Sequence, residues 1–243
     1  MVTVDVRRAD ARGALESAPG VTSLHSFSFG AHLDPGNTHH GLLLAHHEDR
    51  IAPGAGYDDH PHRDTEIVTW VLDGTLAHDD DAGRSARVVP GTVQRLSAGR
   101  GVTHRERNAS DDEPLHLVQM WLVPDEAGVD PVHETVDVSA ALRGGGLVPA
   151  AGRGAAVGLG IADAVLHVAR PPAGHRLDLP AAPYLHVFVA RGEVELDGHD
   201  LAAGDAARVV EAPATIALSL DAHTDAEVLV WEMHSDLAPT GGD

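Results

Sequence analysis

The sequence predicts an all-β protein made of two similar barrels or sandwiches. Helical periodicity is scarce, and most of the 243 residues fall into short apolar runs separated by Gly, Pro, Asp and Asn clusters, which is the spacing of strands and turns. A glycine-rich segment, Ala140–Gly154, divides the chain, and related patterns stand on both sides of it. We therefore expect two β units joined by a linker, with few and short helices.

The apolar runs locate the predicted strands in order along the chain. They are Gly41–Ala45, Ile67–Leu72, Val93–Leu96, His116–Val123, Ala164–Ala169, Leu185–Ala190, Val194–Leu196 and Glu227–Met233. Asp137–Arg143 is the one predicted helix, and it runs into the linker. The boundaries that follow are an N-terminal domain at 1–136, a linker with a short helix at 137–154, and a C-terminal domain at 155–243.

A weak internal repeat supports the duplication of one barrel. The first half contains VLDGTLAHDDDAG and then VVPGTVQRLSAG, and the second contains VARGEVELDGHDLAAGDAARVVEA. In each half an apolar strand ends at a glycine, a second strand follows, and a Pro-Gly or Gly-Asp turn leads into a third.

Composition excludes several classes of function. The formal charge of -20, with 17 scattered arginines as the only basic side chains, argues against direct binding of nucleic acid. No stretch approaches the roughly 18 to 20 apolar residues of a membrane span, and the charged N-terminus is unlike a secretory signal. Because the chain has no cysteine, any metal has to be held by His and carboxylate. We expect a cytoplasmic monomer, since two fused barrels can cover their own sheet edges.

The residues that carry chemistry are His60-Pro61-His62 and, further on, His104-Arg105-Glu106. Residues two apart on a strand point to the same face, so each pair can direct two ligands at one point inside a barrel. The His-x-His pair alone proves nothing, because 18 histidines in 243 residues produce about one such pair by chance. Three imidazoles and a carboxylate suit Fe, Mn, Cu, Ni or Zn, and iron is favoured for oxygen chemistry.

The surroundings of these pairs resemble the two motifs of the cupin family. The first motif needs a glycine, two histidines, a glutamate and a glycine, and the second needs a glycine, a histidine and an asparagine. The matching residues are Gly54, His60, His62, Glu66 and Gly74, then Gly101, His104 and Asn108. The gap from Glu66 to Gly74 is one residue longer than the usual pattern.

Longer segments narrow the resemblance to the pirin family of two-cupin proteins. FSFGAHLDP, HPHRDTEIVTWVLDGTLAHDD, PGTVQRLSAGRGVTHRERN and LHLVQMWLVP look like its signatures, and the ordered match covers roughly residues 25 to 135. The resemblance implies two cupin (double-stranded β-helix, or jelly-roll) barrels packed together. The C-terminal cupin is expected to be degenerate and metal-free, because it lacks both the H-x-H and the H-x-E pattern.

The same resemblance implies one divalent metal held by His60, His62, His104 and Glu106. Iron is the expected ion, with Mn, Ni, Cu, Zn and Co as other possibilities. The usual cupin glutamate corresponds to Glu66, so two carboxylates compete, and we prefer Glu106 because of the lengthened spacing and the H-x-E motif. Glu66 is then a buried acid that could orient a ligand imidazole.

Two functional hypotheses follow from the resemblance. One is a quercetin 2,3-dioxygenase-like enzyme that cleaves flavonols with O2, in which Glu106 takes the substrate hydroxyl proton. The other is a non-enzymatic, redox-sensing regulator that binds a protein partner. A third possibility is an inactive cupin with incidental metal, since fold alone implies no activity.

Other histidines are assigned weaker roles. His78 and His116 are expected to be structural or on the surface. His39-His40 and His46-His47 are adjacent pairs whose side chains point to opposite faces of a strand, so neither pair is expected to chelate one ion.

Overall fold

The computed structural model describes residues 2–211 and 218–237 of the chain, and it is nearly all β. The N-terminal half has twelve strands: β1 (Val2–Arg7), β2 (Gly13–Ala18), β3 (Val21–His25), β4 (Leu43–Ile51), β5 (Gly56–His62), β6 (Glu66–Asp73), β7 (Leu76–Asp80), β8 (Ser85–Val88), β9 (Thr92–Ser97), β10 (Val102–Asn108), β11 (Leu115–Leu122) and β12 (Val132–Asp137). A 3-10 turn at Ala9–Ala11 and one helix, α1 (Ser139–Leu142), also occur.

The C-terminal half continues the numbering through the remaining described residues. Its strands are β13 (Val148–Gly152), β14 (Ala164–Ala169), β15 (Arg176–Asp178), β16 (Tyr184–Arg191), β17 (Glu193–Leu196), β18 (His199–Ala202), β19 (Ala206–Glu211), β20 (Ser219–Ala222) and β21 (Glu227–Met233). No helix in the described part of the chain has the length and apolar character needed to cross a membrane.

Each half forms a two-sheet barrel. In the first, a seven-stranded sheet in the order β12-β9-β6-β11-β4-β3-β2 is accompanied by a four-stranded sheet in the order β5-β10-β7-β8. In the second, the sheets have the orders β1-β19-β16-β21-β14-β13 and β15-β20-β17-β18. All pairings between these strands are antiparallel. The predicted all-β, two-cupin fold is confirmed.

The first strand does not belong to the sheets of the N-terminal half. β1 pairs along its whole length with β19, with Val4 opposite Val209, so the start of the chain completes a sheet of the second barrel. The domain boundaries at 136 and 155 stay predictions. Residues 2–7 fall in the predicted N-terminal domain, but they pair with a strand of the predicted C-terminal domain.

The predicted linker contains more regular structure than its composition suggests. The helix α1 falls inside the predicted Asp137–Arg143, but it is shorter. Residues 148–152 were expected to be part of a flexible connection, and instead they form β13, which pairs with β14. The expectation of an irregular segment is therefore wrong for these residues, because small side chains in Val148–Gly152 can pack in a buried edge strand.

The large sheet of the first barrel is buried on both faces. Along β6, Val68, Trp70 and Leu72 join a cluster that also contains Phe188 and Trp231 of the second barrel. The alternate residues Ile67 and Val71 belong to separate clusters within the first half. Burial on both sides accounts for the continuous apolar runs in the sequence, where a one-sided sheet would alternate. This packing holds the central strands of the first barrel rigidly in place.

Candidate metal centre

The four-stranded sheet of the first barrel brings the two histidine pairs together. β5 and β10 are antiparallel neighbours in which His104 is paired with His60 and Val102 with His62. His60 and His62 are two residues apart, so they share the face on which His104 also lies. Each of the three rings offers a nitrogen, and these nitrogens all lie within 4.8 Å of one another. This spacing allows three imidazoles to share one ion.

Hydrogen bonds leave one nitrogen available on two of these rings. The Nδ1 of His60 donates to the backbone carbonyl of Asp58 at 2.7 Å, which leaves Nε2 as the ring nitrogen available to an ion. The Nε2 of His104 is buried and has no hydrogen-bond partner among the described residues. Burial lowers the pKa of both His62 and His104 to about 4. These rings are therefore neutral at pH 7, which is the form that binds a metal.

Glu106 lies on the same face of β10, after a register shift that separates it from His104. Its two carboxylate oxygens accept hydrogen bonds from the side-chain amides of Gln94 at 2.9 Å and Gln119 at 2.8 Å. Burial raises the pKa of Glu106, but the neighbouring His78 and His104 and the amide of Gln119 outweigh it, and the pKa falls to about 2. The side chain is thus an ionised carboxylate whose orientation is fixed from two strands.

The glutamines belong to a row of polar residues that crosses the large sheet. His47, Gln119, Thr69 and Gln94 are direct cross-strand partners on β4, β11, β6 and β9. The Oγ1 of Thr69 accepts longer hydrogen bonds from both amides, at 3.4 Å from Gln94 and 3.3 Å from Gln119. Sequence reasoning missed this row because it treated the four strands as apolar. The available signal was a polar residue inside three of the predicted runs, Thr69, Gln94 and Gln119, whereas His47 lies beyond the run Gly41–Ala45.

Glu66 faces a different part of the molecule. It begins β6 with the same parity as Val68 and Trp70, which pack in the cluster shared with the second barrel. Its Oε2 accepts a hydrogen bond from the hydroxyl of Ser97 at 2.7 Å, and Gly160 packs against its Oε1 so closely that a Cβ there would come within 2.9 Å. Glu66 is in none of the groups of potential ligands found among the described residues, whereas Glu106 is grouped with His78 and His104 and not with His60 and His62. It is buried, as expected, and within the described structure its hydrogen bond comes from Ser97 and not from a histidine.

A cavity of about 180 Å³ opens beside the histidines. Its lining includes His60, His62 and Glu106, together with an aromatic wall formed by Phe29, His47 and Trp121. The ring centroids of Phe29 and Trp121 are 5.4 Å apart, and that of His62 lies 5.0 Å from Trp121. The potential ligands therefore border a space that favours flat, partly apolar molecules.

The adjacent pair His46-His47 does point to opposite faces of β4. His47 lines the cavity, whereas the ring of His46 lies 5.0 Å from that of His186 and 4.5 Å from Phe188, both in the second barrel. In the C-terminal half, the described residues include one further group of possible ligands, Glu195, Asp200 and His223, and two of these three are exposed.

Comparison with known proteins identifies the family. A family model described as Pirin matches residues 6–122, and one described as quercetinase C-terminal cupin domain matches residues 150–233. A relative from Mycobacterium tuberculosis, named "putative quercetin 2,3-dioxygenase", is 48% identical over 240 residues, which are 97% of this chain and 97% of the relative. The chain belongs to the pirin family. The resemblance in its sequence motifs is confirmed.

Further similarities agree with a two-domain pirin. An Escherichia coli protein named quercetin 2,3-dioxygenase is 40% identical over 129 residues, which are 53% of this chain and 55% of the relative. The crystal structure of the E. coli bacterial pirin YhhW in complex with nickel(II) has a TM-score of 0.87 and 29% identity, and it covers 96% of this chain and 100% of that chain. The pirin fold thus extends over both barrels of this chain.

Proposed function

We propose that this pirin is a metal-dependent dioxygenase that cleaves flavonols such as quercetin with O2. One observation carries the proposal: three imidazoles whose nitrogens lie within 4.8 Å of one another, beside an aromatic-walled cavity. The names of the curated relatives support it, since the E. coli protein is called quercetin 2,3-dioxygenase.

The proposed ligands are His60, His62, His104 and Glu106. A buried ring nitrogen without a partner is costly unless something binds it, and the Nε2 of His104 is in that state within the described structure. An ionised, hydrogen-bonded carboxylate is a suitable fourth donor. The residues present therefore fit a divalent transition metal.

The identity of the metal follows from the donor set only in part. Three nitrogens and one oxygen, with no thiolate in the chain, suit several first-row ions, and iron remains our proposal for oxygen chemistry. YhhW, the nickel-bound pirin, shows that nickel deserves equal testing. Bound in this site, the metal would offer open positions to a flavonol oxygen and O2, and would make a coordinated hydroxyl more acidic.

Glu106 has two proposed roles, as a metal ligand and as a proton acceptor, and its low pKa favours the first over the second. A pKa of about 2 keeps the side chain anionic, which favours the ligand role. The same low pKa makes it a weak general base, because an efficient base has a pKa near the working pH. We therefore propose that Glu106 is first a ligand, and that it accepts a proton at Oε1 or Oε2 only from an acidic substrate hydroxyl.

The size of the cavity limits how a flavonol would bind. A cavity of about 150 Å³ is enough for one benzene ring, so the space of about 180 Å³ would hold one substituted ring. We propose that the ring carrying the reacting oxygens packs against the wall that contains Phe29 and Trp121, and that the rest of the molecule stays at the mouth. The Nε2 of His47, which lies in the same lining and has no hydrogen-bond partner among the described residues, would then contact a substrate oxygen.

The test measures flavonol absorbance and O2 uptake by protein loaded separately with Fe, Ni, Mn, Cu, Co or Zn. We expect turnover with at least one metal, and its loss in His62→Ala and Glu106→Gln. His199→Ala is the control, because His199 lies on an exposed strand of the second barrel. Absence of turnover with every metal would reject the enzyme hypothesis and leave the regulatory one. A protein partner that binds in only one oxidation state of the iron would support the regulatory hypothesis.

A further inference from the structure

His78 lies directly behind the proposed ligands. On the strand pair β10–β7, Glu106 is paired with His78 and His104 with Asp80. The ring of His78 is 1% exposed. Its Nδ1 is 3.4 Å from the Nδ1 of His104 and 3.7 Å from the Oε1 of Glu106. Only the first of these distances is within hydrogen-bonding range, so the two imidazoles are the direct partners.

Metal binding would determine the direction of this hydrogen bond. A neutral imidazole carries one N–H, so a His104 that binds a metal through Nε2 has its proton on Nδ1. That N–H is buried and needs an acceptor. The Nδ1 of His78 is the acceptor within reach, and it can accept only when His78 carries its own proton on Nε2.

The environment of His78 favours this tautomer. Its Nε2 lies 3.8 Å from the Oδ2 of Asp80 and has no hydrogen-bond partner in the described part of the chain. Asp80 is itself held in place by the Nε of Arg84 at 2.6 Å and by backbone amides of its turn. A buried carboxylate on this side attracts the Nε2 proton and leaves Nδ1 free to accept.

A second contact links His78 to the carboxylate side of the centre. The ring of His133 stacks on that of His78, with centroids 4.1 Å apart and planes 5° from parallel. The Nε2 of His133 lies 3.1 Å from the Oε1 of Gln94, and the amide of Gln94 donates to Glu106. The position of the His78 ring is therefore fixed by neighbours that also fix Glu106.

We propose that His78 is a positioning residue of the metal centre: it accepts the Nδ1 proton of His104 and so orients that ring with Nε2 toward the ion. The proposal rests on the metal site of the proposed function, but it does not depend on the substrate. Of the two roles expected for His78, structural or on the surface, its burial excludes the surface, and the proposal goes beyond a merely structural role. Partners that orient metal-bound histidines commonly contribute about 10- to 100-fold in metal affinity.

The test compares His78→Asn with His78→Leu, because these side chains have nearly the same shape and only asparagine keeps an acceptor oxygen near the position of Nδ1. Binding of Ni2+ and Co2+ is measured by competition with a chromogenic chelator, and the Co2+ absorption bands report ligand geometry. We expect His78→Leu to bind about 10- to 100-fold more weakly than the wild type, and His78→Asn to recover most of that loss. His186→Leu is the matched control, since His186 is equally buried but lies in the second barrel.

Equal affinities for His78→Asn and His78→Leu would overturn the proposal, as would two metals bound per chain, which would make His78 a ligand. Should both variants fail to fold, nitrogen NMR of the Zn2+-loaded wild type gives the answer. Protons on Nδ1 of His104 and Nε2 of His78 support the proposal, and the opposite tautomers contradict it. A wild type that binds metal as expected but cleaves no flavonol rejects the proposed function and leaves this inference intact.

Discussion

His60 and His104 are paired across β5 and β10, and their ring centroids are 4.4 Å apart. The pairing joins two histidines that are distant in sequence, and it places His62 and Glu106 on the same face of the sheet. The centre is thus built on hydrogen-bonded strands and not on loops, which favours a stable arrangement of ligands before a metal arrives.

Removal of one imidazole is expected to abolish tight metal binding. In His62→Ala, the site loses one of three imidazole donors, so affinity for Ni2+ or Fe2+ should fall by more than about 100-fold, beyond the usual cost of losing a supporting hydrogen bond. Isothermal titration calorimetry measures the change. The His199→Ala variant should bind as the wild type does, and a wild-type affinity in His62→Ala would remove His62 from the ligand set.

Metal removal is expected to lower stability. An ion that binds only the folded chain stabilises it by about 2.7 kcal/mol at a free concentration 100 times its Kd. Chemical denaturation with added metal and with chelator should therefore differ by roughly that amount at such a concentration. The same comparison in His104→Ala should show almost no difference. An equally large effect in this variant would mean that the stabilising ion binds elsewhere.

Stability is also expected to fall in mild acid because of histidines buried between the barrels. Burial lowers the pKa of His46 to about 3 and that of His186 well below its ordinary value. Arg12 and Arg208 lower the pKa of His46 further, and His46 and Arg208 lower that of His186 further. Below about pH 6.5 these histidines bind protons in the unfolded chain but not in the folded chain. The free energy of unfolding therefore decreases as pH falls toward 3.

The measurement is the free energy of unfolding between pH 7 and pH 4 for the wild type and His186→Leu. Each histidine that protonates only on unfolding contributes a slope of up to about 1.4 kcal/mol per pH unit. His186→Leu removes one such group, and we expect a shallower dependence on pH. Identical slopes would show that His186 takes up no proton on unfolding in this range.

Trp121 is expected to support Glu106 through Gln119. Its indole N–H donates to the Oε1 of Gln119 at 3.0 Å, which directs the amide nitrogen of Gln119 toward Glu106. Trp121→Phe keeps an aromatic wall in the cavity but lets the amide rotate. The loss of one ordinary hydrogen bond, about 0.5 to 1.5 kcal/mol, corresponds to roughly 2- to 10-fold weaker metal binding.

Titration of Trp121→Phe with Ni2+ measures this effect. The control is Trp70→Phe, because the indole of Trp70 donates to Glu227 in the contact between the barrels and is remote from the cavity lining. That variant should lose stability without a specific loss of metal affinity. Unchanged metal binding in Trp121→Phe would mean that Gln119 keeps its orientation without the indole.

Much of the fold could be predicted because strand patterns are local. The runs Ala164–Ala169 and Glu227–Met233 are strands with the predicted bounds. The predicted run Gly41–Ala45 corresponds to β4, which begins at Leu43 and continues to Ile51, because polar residues such as His47 and Asp49 are accepted inside a barrel when they have polar neighbours. No local pattern indicated that β1 would pair with β19, since that choice depends on an exposed sheet edge in the other half.

The sequence by itself determined which side chains could share a face of a strand. Residues two apart on a strand point to the same side of the sheet, whichever strands become its neighbours. It therefore brought forward His60, His62, His104 and Glu106. Only the tertiary structure decided that Glu66 turns toward Ser97 and that Gln94 and Gln119 fix Glu106. These contacts depend on which strands become neighbours and on which face of each sheet is covered, and both are set by packing between distant parts of the chain.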